Sequence, residues 1–186
     1  PSLWVKGNVI ALSRLMQAYI SKAAPELVQY LNPVLGVFQK LHASKATEAS
    51  SFEILNSAIV HFPQEETATR LPQILQLIMT RLQQDQSTKY TALVTTFFAV
   101  FVGKYGAHVF LEHMNAMQSN LAIMLLGKIW APRLRTNAPS QRTEAKIQVI
   151  GVTKLLCETP ALVTDGREVW AELLVGTVQL LSSKTF

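Results

Sequence analysis

Apolar residues recur at spacings of three and four along most of the chain, and the spacings come in repeating blocks. The clearest block is a hairpin over residues 47–84. Its first arm, SSFEILNSAIVHFP, places Phe52, Leu55, Ala58 and Ile59 on one helical face. Its second arm, TRLPQILQLIMTRLQQ, does the same with Ile74, Leu75, Ile78, Met79 and Leu82. Between them, Pro63 and Gln64-Glu65-Glu66-Thr67 read as a breaker and a loop. Two amphipathic helices cannot bury both apolar faces alone and need hairpins on either side.

The chain supplies them. The first-arm set moved back by 40 residues lands on Leu12, Leu15, Ala18 and Tyr19. Moved forward by 42 it lands on Val94, Phe97, Val100 and Phe101, and 55 further on Val149, Val152, Leu155 and Leu156. The second arms repeat as well. Phe38-Gln39-Lys40-Leu41 precedes Met79-Thr80-Arg81-Leu82 by 41, and Leu75, Ile78, Met79 and Leu82 moved by 47 give Ala122, Leu125, Leu126 and Ile129. Trp170, Leu173, Leu174, Val178 and Leu181 form the last such face. Two helices per ~40–47 residues are the mark of HEAT or armadillo arrays. An irregular bundle with chance spacing is the alternative, and four matches of each kind favour the array. The pattern therefore predicts an all-α chain, an α-solenoid of about four HEAT-type antiparallel helix pairs.

The hairpins fall at roughly 1–43, 44–84, 87–135 with an extra helix over 105–118, and 141–184, with no domain boundary. Residues 1–8 read as a lead-in, and Asn8 as an N-cap. Asn32-Pro33 reads as an N-cap followed by proline at the first helical position, and 44–50 as a linker. Ala131-Pro132 ends the third second arm, and 133–141 is the longest polar connection.

Composition alters this picture little. Of 186 residues, 49% are hydrophobic and 16% charged, which suits a well-buried fold and argues against disorder. The net charge of +5 invites a nucleic-acid or anionic-membrane partner. The basic residues are spread, however, and the nearest thing to a patch is Lys128, Arg133, Arg135, Arg142 and Lys146, read as a solvated loop. The single Cys157 excludes an internal disulfide and, in the run VTKLLCE, reads as a buried structural thiol. The longest stretch without a formal charge, 113–127, is shorter than the ~18 residues that a membrane span needs. No signal peptide is recognisable, and a start at Pro1 almost directly into a helix reads as a piece of something longer.

Nothing rises to an active site. Asp85 and Asp165 lie in turn-like sequence, and the adjacent Glu65 and Glu66 do not converge. His108 and His113 are five apart, where a helical metal pair needs three or four. His42 and His61 follow apolar helices and read as C-terminal caps. Gly103-Lys104 lacks the rest of a phosphate loop, and Gly151 reads as a site of close helix packing. Phe97, Phe98 and Phe101 read as core rather than base-stacking residues. We therefore expect no enzyme activity, no metal and no cofactor. The remaining candidate is a surface: the second-arm helices of a solenoid line one long face. On the central one, Gln73, Gln76, Thr80 and Gln83 form a polar stripe opposite the apolar one.

Several phrases go beyond periodicity. GNVIALSRLMQAYI from Gly7, PVLGVFQKLHASKA from Pro33, FEILNSAIVHFP from Phe52, QLIMTRLQQDQSTKY from Gln76, KYGAHVFLEHM from Lys104 and IGVTKLLCETP from Ile150 resemble, in order, the C-terminal part of the importin-α re-exporters. These are HEAT-repeat exportins of the importin-β superfamily. The resemblance implies a receptor that binds importin-α with Ran-GTP in the nucleus and releases it in the cytoplasm. It implies shuttling between nucleus and cytoplasm, a cargo-embracing arch in this segment, and Ran contacts mainly in parts absent here. Nuclear pore proteins are further partners on this reading; membrane and nucleic acid are not. No motif of the family fixes a cargo contact in this segment, so the expected partner-binding residues follow from their place on the second arms: Gln73, Gln76, Thr80, Lys128, Glu172 and Gln179. Arg133, Arg135 and Arg142 could meet an acidic patch. A helical scaffold of another assembly and a basic helical-repeat nucleic-acid binder remain the alternatives.

Overall fold

A computed structural model describes residues 7–185; residues 1–6 of the lead-in expected at 1–8 lie outside the described residues. Among the described residues there is no strand, as the periodicity predicts. They fall into two compact units that divide after Asp85, in a three-residue loop where the sequence carries no composition shift.

The first unit begins with α1 (Val9–Lys22), the single turn α2 (Ala24–Leu27) and a 3-10 turn (Val28–Tyr30). It continues with α3 (Leu31–His42), α4 (Glu48–His61), the single turn α5 (Gln64–Ala68) and α6 (Leu71–Gln84). Helix α4 packs against both α1 and α3. Val9 and Ile20 of α1, Leu31, Val34 and Leu41 of α3, and Ile54, Ala58 and Phe62 form one buried cluster. A helix flanked on two sides buries more than one face, and α4 hides Ser50, Ser51, Phe52, Ile54, Leu55, Ala58 and Ile59. Among the described residues, helix α1 has fewer packed neighbours than α4. The face that the repeat places on it is not the buried one: Leu15 is 52% and Tyr19 60% exposed, and Val9, Ser13 and Ile20 are buried instead.

In this unit the expected Asn8 cap holds in position only, and the Asn32 cap, the linker and the loop differ from expectation. Asn8 stands at the N-cap of α1, but only its carbonyl serves, accepting the Leu12 N–H at 2.9 Å. The 3-10 turn feeds straight into α3, so the helix starts at Leu31 and Asn32 lies inside its first turn. Pro33 is tolerated there because first-turn N–H groups lack intrahelical partners. Residues 48–50 and 64–67 are helical rather than linker and loop, with Glu48, Glu65 and Glu66 in first turns where the helix dipole favours acids.

The second unit holds α7 (Thr88–Tyr105), α8 (Ala107–Met117), α9 (Leu121–Leu125), a π-helical segment (Leu126–Trp130) and α10 (Ala131–Thr136). Then come α11 (Arg142–Glu158), the single turn α12 (Pro160–Thr164) and α13 (Arg167–Leu181). Helices α7 and α11 pack along each other, and α13 packs against α10 and α11. The crossing of α7 and α11 is close at Gly151, where an added Cβ would stand 2.6 Å from Ala99 Cα. Phe97, Phe98 and Phe101 are core, as expected, in an aromatic cluster with Phe110 and Trp130. Gly106, at φ +93°, separates α7 from α8. Helix α11 braces this break: Lys154 Nζ donates to the Gly103 carbonyl at 3.1 Å, and Glu158 accepts the Ala107 N–H at 3.1 Å.

The expected helix end at Ala131-Pro132 is overturned, because the helical path continues to Thr136. The π turn shifts the hydrogen-bond register just before Pro132, which is how a chain absorbs a residue without an N–H. The polar connection therefore shortens to residues 137–141. Cys157 is exposed, not buried. Ala145, Gln148, Gly151, Val152 and Leu155 make the buried stripe of α11, and Cys157 falls outside it. On α13 the buried set is Leu173, Gly176, Thr177 and Leu180, so Val178 and Leu181 of the expected face are exposed.

Candidate partner-binding surface

The candidate residues lie in two groups, one in each unit. In the first, α3 and α6 flank a groove of about 780 Å³. Its apolar part comes from Leu35, Phe38, Ile74 and Leu77, and its polar part from Asn32, Gln39, Gln73, Gln76 and Thr80. All three residues expected from the α6 stripe thus line one feature. Their α3 counterparts were missed, though the signal was present. The offset of 41 that pairs Phe38 with Met79 also pairs Asn32 with Gln73 and Gln39 with Thr80.

The groove's geometry follows from what lies beneath it. Ile74, Leu75, Ile78, Met79 and Leu82 are buried, which turns Gln73, Gln76 and Thr80 outward. The Thr80 hydroxyl donates to the Gln76 carbonyl at 2.7 Å and accepts from the Gln76 amide at 3.4 Å. At the N-terminal end of α6, Arg70 Nε donates to Asn32 Oδ1 at 3.0 Å. Toward the C-terminal end, the Arg81 guanidinium bonds both the His42 carbonyl and the Glu48 carboxylate. Glu48 is only 3% exposed, so this pair is internal. The His42 imidazole is not a cap. It is buried between the rings of Phe38 and Phe52. Burial, then the neighbouring Arg81 cation, lowers its pKa from 6.5 to about 4.

In the second unit the basic set is divided. Arg133 is not a surface residue: it lies in α10, 9% exposed. Its Nε donates to Thr95 Oγ1 at 2.9 Å, and its other nitrogens to the Asn137 carbonyl and Glu144. The network continues from Glu144 to the Thr96 hydroxyl at 3.0 Å, and through Gln148 to Trp130 Nε1 at 2.7 Å. Buried polar groups demand such partners, and an arginine placed by sequence in a polar loop is instead an internal tie among α7, α10 and α11. Lys128 is exposed and lines a recess of about 180 Å³ with Gln86, Thr88, Thr91, Ile129, Pro132, Arg133, Thr136 and Asn137. Arg135 and Glu172 form a pair at 3.7 Å, about half exposed on each side and therefore weak. Gln179 is exposed two turns beyond Glu172 on α13, and Arg142 and Lys146 are exposed on α11.

No group of three or more His, Cys, Asp or Glu able to hold a metal occurs among the described residues. None of their helices is long and apolar enough to cross a membrane. The arrangement offers side-chain amides, hydroxyls and a few cations on helix faces, which is recognition chemistry.

Residues 1–185 match the sequence model described as CAS/CSE protein, C-terminus. Exportin-2 of Pagrus major is 37% identical over 97% of this chain, and Exportin-2 of Homo sapiens 36% over the same share. Among solved structures, "The exportin Cse1 in its cargo-free, cytoplasmic state" aligns with a TM-score of 0.83 at 25% identity over 97% of this chain. In each case the chain spans 19% of the relative's own length. The α-solenoid class read from the 40-residue periods agrees with this likeness.

Proposed function

The chain belongs to the CAS/CSE family, as its C-terminal segment, and from that premise we propose that it is a non-catalytic part of a nuclear export receptor. The cargo on this reading is importin-α, carried from nucleus to cytoplasm together with Ran-GTP. This segment contributes to the cargo-binding arch, while Ran is gripped mainly by parts of the receptor outside it. The observation that carries the proposal is the match to Exportin-2 over 97% of the chain, together with the TM-score of 0.83 to the exportin Cse1 over the same share.

The groove between α3 and α6 is the cargo contact we favour, through Gln73, Gln76 and Thr80, with Asn32 and Gln39 added from the facing helix. Lys128, Arg135, Glu172 and Gln179 provide a second, more charged contact set in the other unit. Arg133 is left out, because its guanidinium already bonds Thr95, Asn137 and Glu144. The same bonding takes one cation from the basic set that a nucleic-acid reading would need.

The test is capture of purified importin-α by this chain and by its full-length parent, each with and without Ran-GTP. Ran-GTP-dependent capture by the parent is expected. Capture by the chain alone would put a cargo contact within these residues. A parent that ignores importin-α in both conditions sinks the proposal and leaves a scaffold role.

A further inference from the structure

The recess beside Lys128 has a composition that the rest of the surface chemistry does not account for. Nine residues line it, and none is a carboxylate. Lys128 supplies the charge that is not already paired, and Arg133 borders the recess with a guanidinium bonded to Glu144; Gln86, Thr88, Thr91, Thr136 and Asn137 supply amides and hydroxyls; Ile129 and Pro132 supply the only apolar wall. Its volume of about 180 Å³ is open enough to admit one oxyanion group and too small for a helix.

A local backbone irregularity builds this recess. Lys128 and Arg133 are five residues apart, which on a regular α-helix would turn them well away from each other. Lys128 lies within the π segment Leu126–Trp130, whose wider turn brings residues five apart closer to one side than an α-helix would, and Arg133 follows in α10 and lines the same recess. Both side chains therefore reach one recess. Arg133 is held rigid from behind by Thr95 and Glu144, which leaves it little freedom to lose on binding. Lys128 is exposed, and the flexible four-carbon stem of a lysine lets its ammonium reach a ligand. Glu144 offsets part of the Arg133 charge, so Lys128 decides whether an anion is held.

We propose that this recess is an oxyanion site that takes a carboxylate or phosphate group from an acidic side chain of a protein partner. The inference deepens the reading of Lys128 as a partner contact and rests on that reading only for the origin of the anion. The chemistry can be tested on the chain by itself. Inorganic phosphate and acetate are titrated against the 186-residue chain while backbone amide resonances are followed. Shifts confined to residues 86–91, 128–133 and 136–137 are expected, weakened about tenfold in Lys128→Gln, as for loss of one charged hydrogen bond. Lys146→Gln, on the exposed side of α11, should leave them unchanged.

The source is then distinguished with three peptides of one sequence carrying glutamate, phosphoserine or serine at one position. Binding of either charged peptide at the recess, and not of the serine peptide, supports the proposal and tells carboxylate from phosphate. Shifts spread evenly over all exposed cations, no shift at the recess, or an RNA oligomer that outcompetes both charged peptides would overturn it. Importin-α capture that survives Lys128→Gln together with an empty recess would remove this inference and leave the transport reading standing.

Discussion

At the scale of the residue, two buried groups set measurable behaviour. The His42 imidazole is neutral among Phe38 and Phe52, with a pKa of about 4 where an unfolded chain has 6.5. Above pH 6.5 neither state is protonated and this group costs nothing. As pH falls from 6.5 toward 4, the unfolded chain takes up a proton that the folded chain refuses, so stability falls, by at most about 3 kcal/mol. Urea midpoints measured across that window should decline more steeply for the wild type than for His42→Gln, which keeps the backbone carbonyl that Arg81 uses. Coincident slopes would mean that the ring is not the titrating group. The second case is Glu48, which faces the Arg81 guanidinium at 3% exposure. Glu48→Ala removes a buried carboxylate partner of that charge and should cost about 3 kcal/mol in urea unfolding. In Glu48→Leu/Arg81→Met the pair is gone from both sides, and the loss should fall well short of the two single losses added.

At the scale of the element, helix crossings divide the glycines into those that are required and those that are not. Gly151 of α11 lies against Ala99 of α7, and a Cβ there would meet the Ala99 Cα at 2.6 Å and its carbonyl at 2.9 Å. Gly103 of α7 has nothing within 4 Å of its Cβ position. Alanine is the better helix former by about 1 kcal/mol. Gly103→Ala should therefore raise the melting temperature, whereas Gly151→Ala should lower it despite its propensity gain, because backbone atoms must move apart. Thermal melts of the two variants that shift the same way would contradict this account of the crossing. The Gly151 contact was legible in the sequence because a glycine inside a strong helical pattern weakens the helix, a cost that close packing against a neighbour offsets. The helices of the four first arms, though not the buried face of α1, and the outward α6 stripe were legible because their period recurs often enough to outvote chance. What the pattern could not show was register broken by backbone geometry. The π turn carried the helix past Pro132 and moved Arg133 from an expected loop to a buried network. Nor could it show how many sides of a helix are covered: the corresponding apolar set is buried on α4 and largely exposed on α1, because only α4 is flanked by both α1 and α3.

At the scale of the molecule, a net charge of +5 is not spread evenly over the two candidate contact sets. The groove between α3 and α6 is lined by apolar side chains, amides and a hydroxyl, with Arg70 its only ionised side chain and that one bonded to Asn32. The other set contains Lys128, Arg135 and Glu172, with Arg142 and Lys146 exposed nearby in sequence. Neutral hydrogen bonds are little affected by salt, whereas exposed charges lose most of their reach once the screening length falls to about 8 Å at physiological ionic strength. If the proposed importin-α contact uses both sets, its binding should separate into two components. With Gln73, Gln76 and Thr80 all replaced by alanine, each lost bond is worth about 1 kcal/mol, and the binding that remains should weaken steeply with added salt. With Lys128 and Arg135 replaced by glutamine, affinity at low salt should drop through a slower on-rate, and the salt dependence should flatten. The measurement is Kd against sodium chloride for the parent receptor with Ran-GTP, wild type and both variants. Parallel salt curves for all three would mean that the charged set does not meet the cargo, and the contact would then rest on the α3 and α6 groove alone. A flattened curve for the charge variant combined with a steepened one for the groove variant would assign each unit its own share of the grip.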